Sequence, residues 1–310
     1  MVKSKKTGVA VQETKIDKIY LGFIYLYVMG ALIITLYPLI YILSASISTP
    51  AYVNSGEMWL WPRGVTWEGY QIIMSNDFIW RGYFNTIFYT LFGTLINLAV
   101  TLPVAYSLSR PEFYGKKWFL IFLTVPMFIG GGIIPFFLLL QQLNMFNTVW
   151  ALVLPGATGL FNIVMTRTFF QQTIPRAMEE AAIIDGANDF AIFFRIILPL
   201  SGPIIAVMAL FFGVAHWNNW FNAMLFISDR SAWPLQMVLR EILVQQDLTS
   251  MPDSAMGMDA SAAQLIMMRQ QMAQVIRYGV IVVSTLPVIL VYPFLQKYFV
   301  KGVMIGSVKG

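Results

Sequence analysis

The side chains able to do chemistry in this chain are few, and they cluster. The run Ala215-His216-Trp217-Asn218-Asn219-Trp220-Phe221-Asn222 combines indole faces, carboxamides and the chain's single histidine. Such a set suits binding better than bond-making. Carboxamides donate to and accept from hydroxyl groups, and indole rings offer flat apolar faces on which a ligand can stack. Trp217, Asn218, Asn219, Trp220 and Asn222 are therefore candidate substrate-path residues. No carboxylate lies within a helical turn of His216, so a structural role fits it better than a proton relay. Thr94, Asn97, Thr101 and Asn162 are further polar candidates, with interhelical hydrogen bonding as the competing role. The chain has no cysteine. That excludes disulfides, thiolate catalysis and Cys-ligated metals, and one histidine argues against a His-based metal centre. No catalytic or metal-ligating set is expected. There is also no G-x-x-x-x-G-K-[ST] phosphate loop.

The elements that hold these residues are set by composition. Of 310 residues, 58% are hydrophobic and 11% charged, against about 25% charged in soluble domains. So few charges cannot cover a water-soluble surface. The fold class is an all-α membrane protein with six transmembrane helices. A span needs about 20 apolar helical residues to cross about 30 Å of hydrocarbon. Six stretches qualify: 19–43, 84–108, 118–140, 148–166, 203–226 and 278–296. None contains Asp, Glu, Lys or Arg. Fourteen of the twenty basic residues fall in the N-terminal tail, the loops 109–117 and 167–195, and the C-terminal tail. The positive-inside rule then places both termini in the cytoplasm of a multi-pass protein of the cell membrane. The net charge of +5 follows this parity, so nucleic acid is not an expected partner. The first apolar run is too long, and ends without a small-x-small site, for a cleavable signal peptide.

Three divisions follow: a cytoplasmic tail 1–18, a six-helix transmembrane domain 19–300, and a cytoplasmic tail 301–310. Extracellular loops span 45–83 and 228–277. The first holds Trp59, Trp61, Trp67 and Trp80, which fit an aromatic interface belt or a ligand platform. The second contains an amphipathic helix near 235–246, with Leu235, Val238, Leu239 and Ile242 at helical spacing, then a Met-rich connector from Met251 to Met272. Pro38, Pro103, Pro126, Pro135, Pro155, Pro203, Pro287 and Pro293 lie in or beside the spans, and Gly130, Gly131 and Gly132 interrupt the third. Such breaks suit a pathway that opens and closes, or ordinary packing of membrane helices.

The charge-free spans constrain function further. A proton- or sodium-driven carrier places ionisable groups at mid-membrane, and none is available here. Uphill transport by this chain requires energy from a partner. The cytoplasmic loop 167–199 is where a partner can push. It reads as two short helices. The first begins near Thr173 or Ile174, with Pro175 in its first turn and Glu179 and Glu180 toward its positive end. Gly186 stops it. Asn188 or Asp189 caps the second, which runs to about Leu198 before Pro199. Ala181, Ala182 and Ala187 keep the surface low. Phe190, Phe193, Ile196 and Ile197 should pack under the bundle.

At these residues the chain resembles a known family. Glu180-Ala181-Ala182, Asp185-Gly186-Ala187, Phe193, Ile196, Leu198-Pro199 and Pro203 are similar to the EAA motif of bacterial ABC importer permeases. Asn147-Thr148, Leu154-Pro155, Trp217-Asn218 and the ending from Gly302 to Gly310 resemble the carbohydrate-uptake permeases of the maltose-permease second-subunit type. The ending and the loop after span five look most like the complex, often uronate-containing, oligosaccharide branch. The resemblance implies a type I ABC importer permease fold with a cytoplasmic coupling helix. Glu179, Glu180, Ala181, Ala182, Asp185, Gly186 and Ala187 would couple it to an ATPase subunit. Lys301, Gly302, Gly306 and Lys309 of the tail would reach the ATPase pair. The implied partners are a second, distinct permease, two ATP-binding ATPase subunits, an extracellular solute-binding protein, an oligosaccharide and the lipid bilayer. No cofactor would be bound by this chain, and ATP and Mg would be used by the ATPase. The alternatives are an importer for a peptide, amino acid or metal, or a stand-alone carrier or channel.

Overall fold

The computed structural model describes residues 14–249, 275–291 and 293. Among them the structure is helical, with one isolated antiparallel bridge between Ser48 and Val65. The basic tail residues 1–13, the Met251–Met272 connector and the tail positions Lys301, Gly302, Gly306 and Lys309 lie outside the described residues. The chain divides into two units, 1–70 with 259–282, and 71–258 with 283–310.

In the first unit, α1 (Lys15–Ser46) starts at a capping box. Thr14 accepts the Asp17 backbone N–H at 3.3 Å, and the Asp17 carboxylate accepts that of Thr14 at 2.8 Å, satisfying two of the orphan donors at a helix start. Pro38 sits inside α1 without ending it. At its far end Ser44 donates to the Leu60 carbonyl at 2.5 Å, and Ser46 pairs with the Tyr70 hydroxyl at 2.8 Å. These bonds fold the loop, with its short α2 (Pro50–Asn54), back on the helix end. The small core holds Ala45, Val53, Met58 and Val275, flanked by Tyr41 and Tyr278 edge to face at 5.9 Å. Trp59, Trp61 and Trp67 are exposed. A further helix, α3 (Glu68–Met74), leads out of this unit.

The second unit is organised around α4 (Asp77–Ser109). Asn76 caps it by accepting the Phe78 N–H at 3.0 Å, and Trp80 is exposed near its start. α5 (Lys116–Phe128) and α6 (Ile133–Gln142) form a pair bent by 117°. The bend falls at Gly130-Gly131-Gly132, where Gly132 has φ +80°, a region that L side chains avoid. α7 (Trp150–Val153) and α8 (Leu160–Thr173) follow. Next come α9 (Arg176–Ile184) and α10 (Asp189–Ile192), then a π-helical turn over Phe193–Ile197 and α11 (Leu198–Leu200). α12 (Gly202–Trp217) and α13 (Trp220–Phe226) lead to α14 (Leu235–Thr249). The last described helix, α15 (Val275–Val291), starts among the residues of the first unit and continues in those of the second. α4 packs against α8 and α12.

Among the described residues two helices, α1 and α4, are long and apolar enough to cross a membrane, and two bent pairs, α5 with α6 and Asp189–Leu200 with α12, pass the same test jointly. Two further stretches besides the third are interrupted. The 148–166 stretch is broken over 154–159, where Pro155 lacks an N–H and Gly156 favours a turn. The 203–226 stretch breaks after Trp217 without a proline. There the Asn218 carboxamide donates to the Val214 carbonyl at 2.9 Å, competing with the helix for its own acceptor. The last stretch is described only as far as 291 and at 293. The second loop helix also does not stop before Pro199. The wide π turn just ahead of that proline lets the chain continue to Leu200, a usual way to seat a residue that cannot donate.

Candidate coupling and substrate-path sites

α9 is held at both ends. Pro175 fixes its entry as N-cap, and Gly186, at φ +80°, turns the chain after its last residue. Asn188 then accepts the Ala191 N–H at 2.8 Å and starts α10. One face of α9 is buried through Glu179 and Ala182, three residues apart, with Ile174 just ahead of the helix. Beneath it lie Leu102, Ala105 and Leu108 of α4, Phe170 of α8, and Ile192, Phe193 and Ile197. The opposite face carries Glu180 and Ala181 with exposed Met178, Ile183 and Ile184, the last 86% accessible. Phe190 was expected under the bundle but is exposed, while Phe193 and Ile197 are buried. Phe190 stands in the first turn of α10.

The sequence did not suggest what fastens α9 to the bundle. Glu179 forms an ion pair with Arg110, the residue that ends α4. Both side chains are largely buried, at 13% and 11% exposure. The Arg110 guanidinium also lies over the Tyr106 ring at 4.5 Å. A second pair crosses the first: Arg176 of α9 donates to Glu112 at 2.8 Å, with both partners well exposed. Burial pushes the Glu179 carboxyl above its ordinary range, and Arg110 pulls it part of the way back. Glu112 is held low, first by its own backbone N–H and also by Arg176. Arg167 and Gln171 of α8 donate to the Leu108 and Ser109 carbonyls at 3.0 and 3.2 Å, so the end of α4 is gripped from two helices. The signal in the sequence was the three-residue spacing of Glu179 and Ala182. It marks the inner face of α9, whereas Glu180 and Ala181 lie on its outer face.

The substrate-path candidates separate in the same way. Trp217 is buried, and its indole N–H donates to the Ser284 carbonyl at 3.0 Å. Asn219 reaches the Leu152 carbonyl at 3.4 Å. Asn218 is exposed and accepts from Gln236 of α14 at 3.5 Å. Trp220 is half-buried with the Arg240 guanidinium 3.8 Å above its ring, and Asn222 is half-buried. On α4, Asn97 donates to the Gly156 carbonyl at 2.9 Å, satisfying backbone freed by the break before α8. Thr101, one helical turn further along α4, is fully buried. These two occupy the chain's own helix packing. His216 packs against Gly93, where a Cβ would come within 2.4 Å of the imidazole Nε2. α14 is strapped to α4: Thr86 accepts the Leu235 N–H at 2.7 Å, Asn85 donates to the Ser231 and Trp233 carbonyls, and Tyr89 donates to Ala232. Asn147, at φ +59°, accepts the Ser228 and Asp229 N–H groups at 3.1 and 3.0 Å.

No family model matches the chain. It is 39% identical over 285 residues to Protein LplC of Bacillus subtilis, covering 92% of this chain and 93% of that protein. It is 38% identical over 294 residues to the polygalacturonan/rhamnogalacturonan transport system permease protein YtcP of the same species, covering 95% and 98%. The chain belongs to the permease subunits of bacterial carbohydrate ABC importers. A crystal structure of a bacterial ABC transporter that imports the acidic polysaccharide alginate contains a chain with TM-score 0.79 and 32% identity, covering 92% of this permease and 98% of that chain. Such permeases are transport components rather than catalysts, and the membrane is where they reside. The EAA-like run falls on α9 to the start of α12 of the permease, and its first glutamate, Glu180, is one residue beyond the buried Glu179.

Proposed function

We propose that this permease takes up oligosaccharides handed over by an extracellular solute-binding protein, through alternating access driven by a partner ATPase. α9 is the coupling helix. Its exposed face, with Met178, Glu180, Ala181, Ile183 and Ile184, seats in a groove of the ATPase subunit. The Glu179–Arg110 pair, whose partners are on α9 and at the end of α4, carries this reading. A push on α9 reaches α4 directly, and α4 packs on α8 and α12. Apolar side chains on a water-facing knob are costly unless a partner covers them. A second permease, distinct from this chain, completes the path, and two ATPase subunits bind ATP and Mg. The broken stretches are spans, six in all, and both termini are cytoplasmic. The tail from Lys301 through Gly302 and Gly306 to Lys309 reaches the ATPase pair.

The substrate is a complex oligosaccharide, in keeping with relatives named for pectic and alginate polymers. Both polymer types carry carboxylates. The chain has no cysteine, which gives a clean test of the coupling surface. A single Ile184→Cys variant of the assembled importer should crosslink to the ATPase subunit, and the crosslink should change with nucleotide state. An Ala182→Cys variant, on the buried face of α9, should stay unreactive. Equal reactivity at both positions, or no crosslink from Ile184→Cys in any state, would remove the coupling assignment.

A further inference from the structure

We propose that Arg240, Gln236 and Asn218 form an anion subsite in the extracellular mouth of this permease that binds a carboxylate of a uronate-containing oligosaccharide. The proposal rests on the carbohydrate reading above and names the sugar chemistry. The Arg240 guanidinium carbon lies 3.8 Å from the centre of the Trp220 ring. The contact holds the cation in place, and a guanidinium can meet a carboxylate with two parallel hydrogen bonds. No carboxylate pairs with Arg240 among the described residues. The neighbouring Glu241 is engaged by Arg230 at 2.6 Å, and Asp229 takes the Ser231 backbone and hydroxyl. Gln236 precedes Arg240 by one helical turn, so both project from one face of α14. That face meets the break between α12 and α13, because the Gln236 Nε2 lies 3.5 Å from the Asn218 Oδ1.

The cluster has the features of a recognition site rather than of a chance surface pair. Asn218 and Arg240 are exposed. A guanidinium is costly in hydrocarbon, so this surface opens to water rather than to lipid. The amide pair is at the long limit of a hydrogen bond, so a sugar oxygen can replace either partner with little loss. The platform is stiff. Leu235, Val238 and Leu239 of α14 are buried, and Thr86, Asn85 and Tyr89 tie its start to α4. A lone cation in a fixed place, next to donors and an indole, discriminates acidic from neutral sugars.

The test uses the complete importer in lipid vesicles with its binding protein. Initial uptake rates are measured for a uronate trisaccharide and for its carboxyl-reduced neutral counterpart. Arg240→Gln should raise the half-saturating concentration for the uronate sugar by about tenfold or more, as expected for a lost charge-assisted pair, and leave the neutral sugar unchanged. Arg240→Lys, which keeps the charge without the planar fork, should fall between the two. Wild-type behaviour of Arg240→Gln with both sugars would overturn the subsite and leave the carbohydrate reading standing. An equal loss with both sugars would also overturn it, marking Arg240 as a docking contact for the binding protein. If the wild-type importer takes up neither sugar but takes a peptide, the carbohydrate reading fails and the subsite falls with it.

Discussion

Removing Glu179 alone should uncouple the importer, and the size of the effect follows from burial. With both side chains nearly nine-tenths covered, Glu179→Ala leaves the Arg110 charge buried and unpaired. Breaking a buried pair from one side costs about 3–5 kcal/mol, which is roughly a hundredfold or more in the equilibrium that docks α9 onto α4. The carboxyl itself is not a large gain, because burial raises it against the pull of Arg110. Replacing both partners with apolar residues of similar size is often neutral. Arg110→Met with Glu179→Leu should therefore recover what either single change loses. The exposed pair provides the control. Glu112 and Arg176 are mostly in solvent, where a pair contributes about 0.2–1 kcal/mol, so Glu112→Ala should change little. The assay is sugar transported per ATP hydrolysed by the reconstituted importer, with the amount of assembled complex measured in parallel. The expected order is wild type, Glu112→Ala and the double apolar variant close together, with Glu179→Ala far below. Equal behaviour of Glu112→Ala and Glu179→Ala, or a double variant as poor as the single one, would refute the reasoning.

Three other outcomes are expected. Gly186→Val forces a branched side chain into φ +80°, a cost of about 1–2 kcal/mol placed at the end of α9. It should leave the complex assembled but weaken ligand-stimulated ATPase activity, as should the charge reversal Glu180→Lys. Gly93→Ala puts a methyl group 2.4 Å from the His216 ring. It should destabilise the permease by about 1–3 kcal/mol, read as a lower thermal unfolding temperature, and His216→Ala in the same chain should restore it. Because burial raises the Glu179 carboxyl above 4.5, the folded state holds that proton more tightly than the unfolded one. The group's contribution is fully present below 4.5 and is lost as pH rises through the raised value. Glu179→Gln should flatten that part of the thermal stability profile.

What was legible in the sequence tracks local chemistry. Gly186 ends α9, Asn188 caps α10, and the glycine run at 130–132 marks a sharp bend, since each is decided by a backbone preference within a turn. Leu235, Val238 and Leu239 announced the buried face of α14 through helical spacing alone. Pro155 marked the interruption before α8, but the one after Trp217 was hidden by hydropathy, which averages over a window and does not register the Asn218 carboxamide competing for a helix carbonyl. The crossed pairs between α9 and the end of α4 join residues more than sixty positions apart, Arg110 with Glu179 and Glu112 with Arg176. No local pattern encodes such a contact. The same holds for Arg240 over Trp220, which turns an unremarkable basic residue into a fixed cation.

The central claim is that a partner's ATP hydrolysis moves sugar through this chain. Its most direct measurement is ligand-stimulated ATPase activity of the purified assembly in lipid, with the binding protein loaded in turn with neutral and uronate oligosaccharides, peptides and metals. The expected result is stimulation by oligosaccharides, greatest with uronate sugars, and none by the other solutes. Transport by the chain without any ATPase subunit, or stimulation confined to a non-sugar solute, would contradict it.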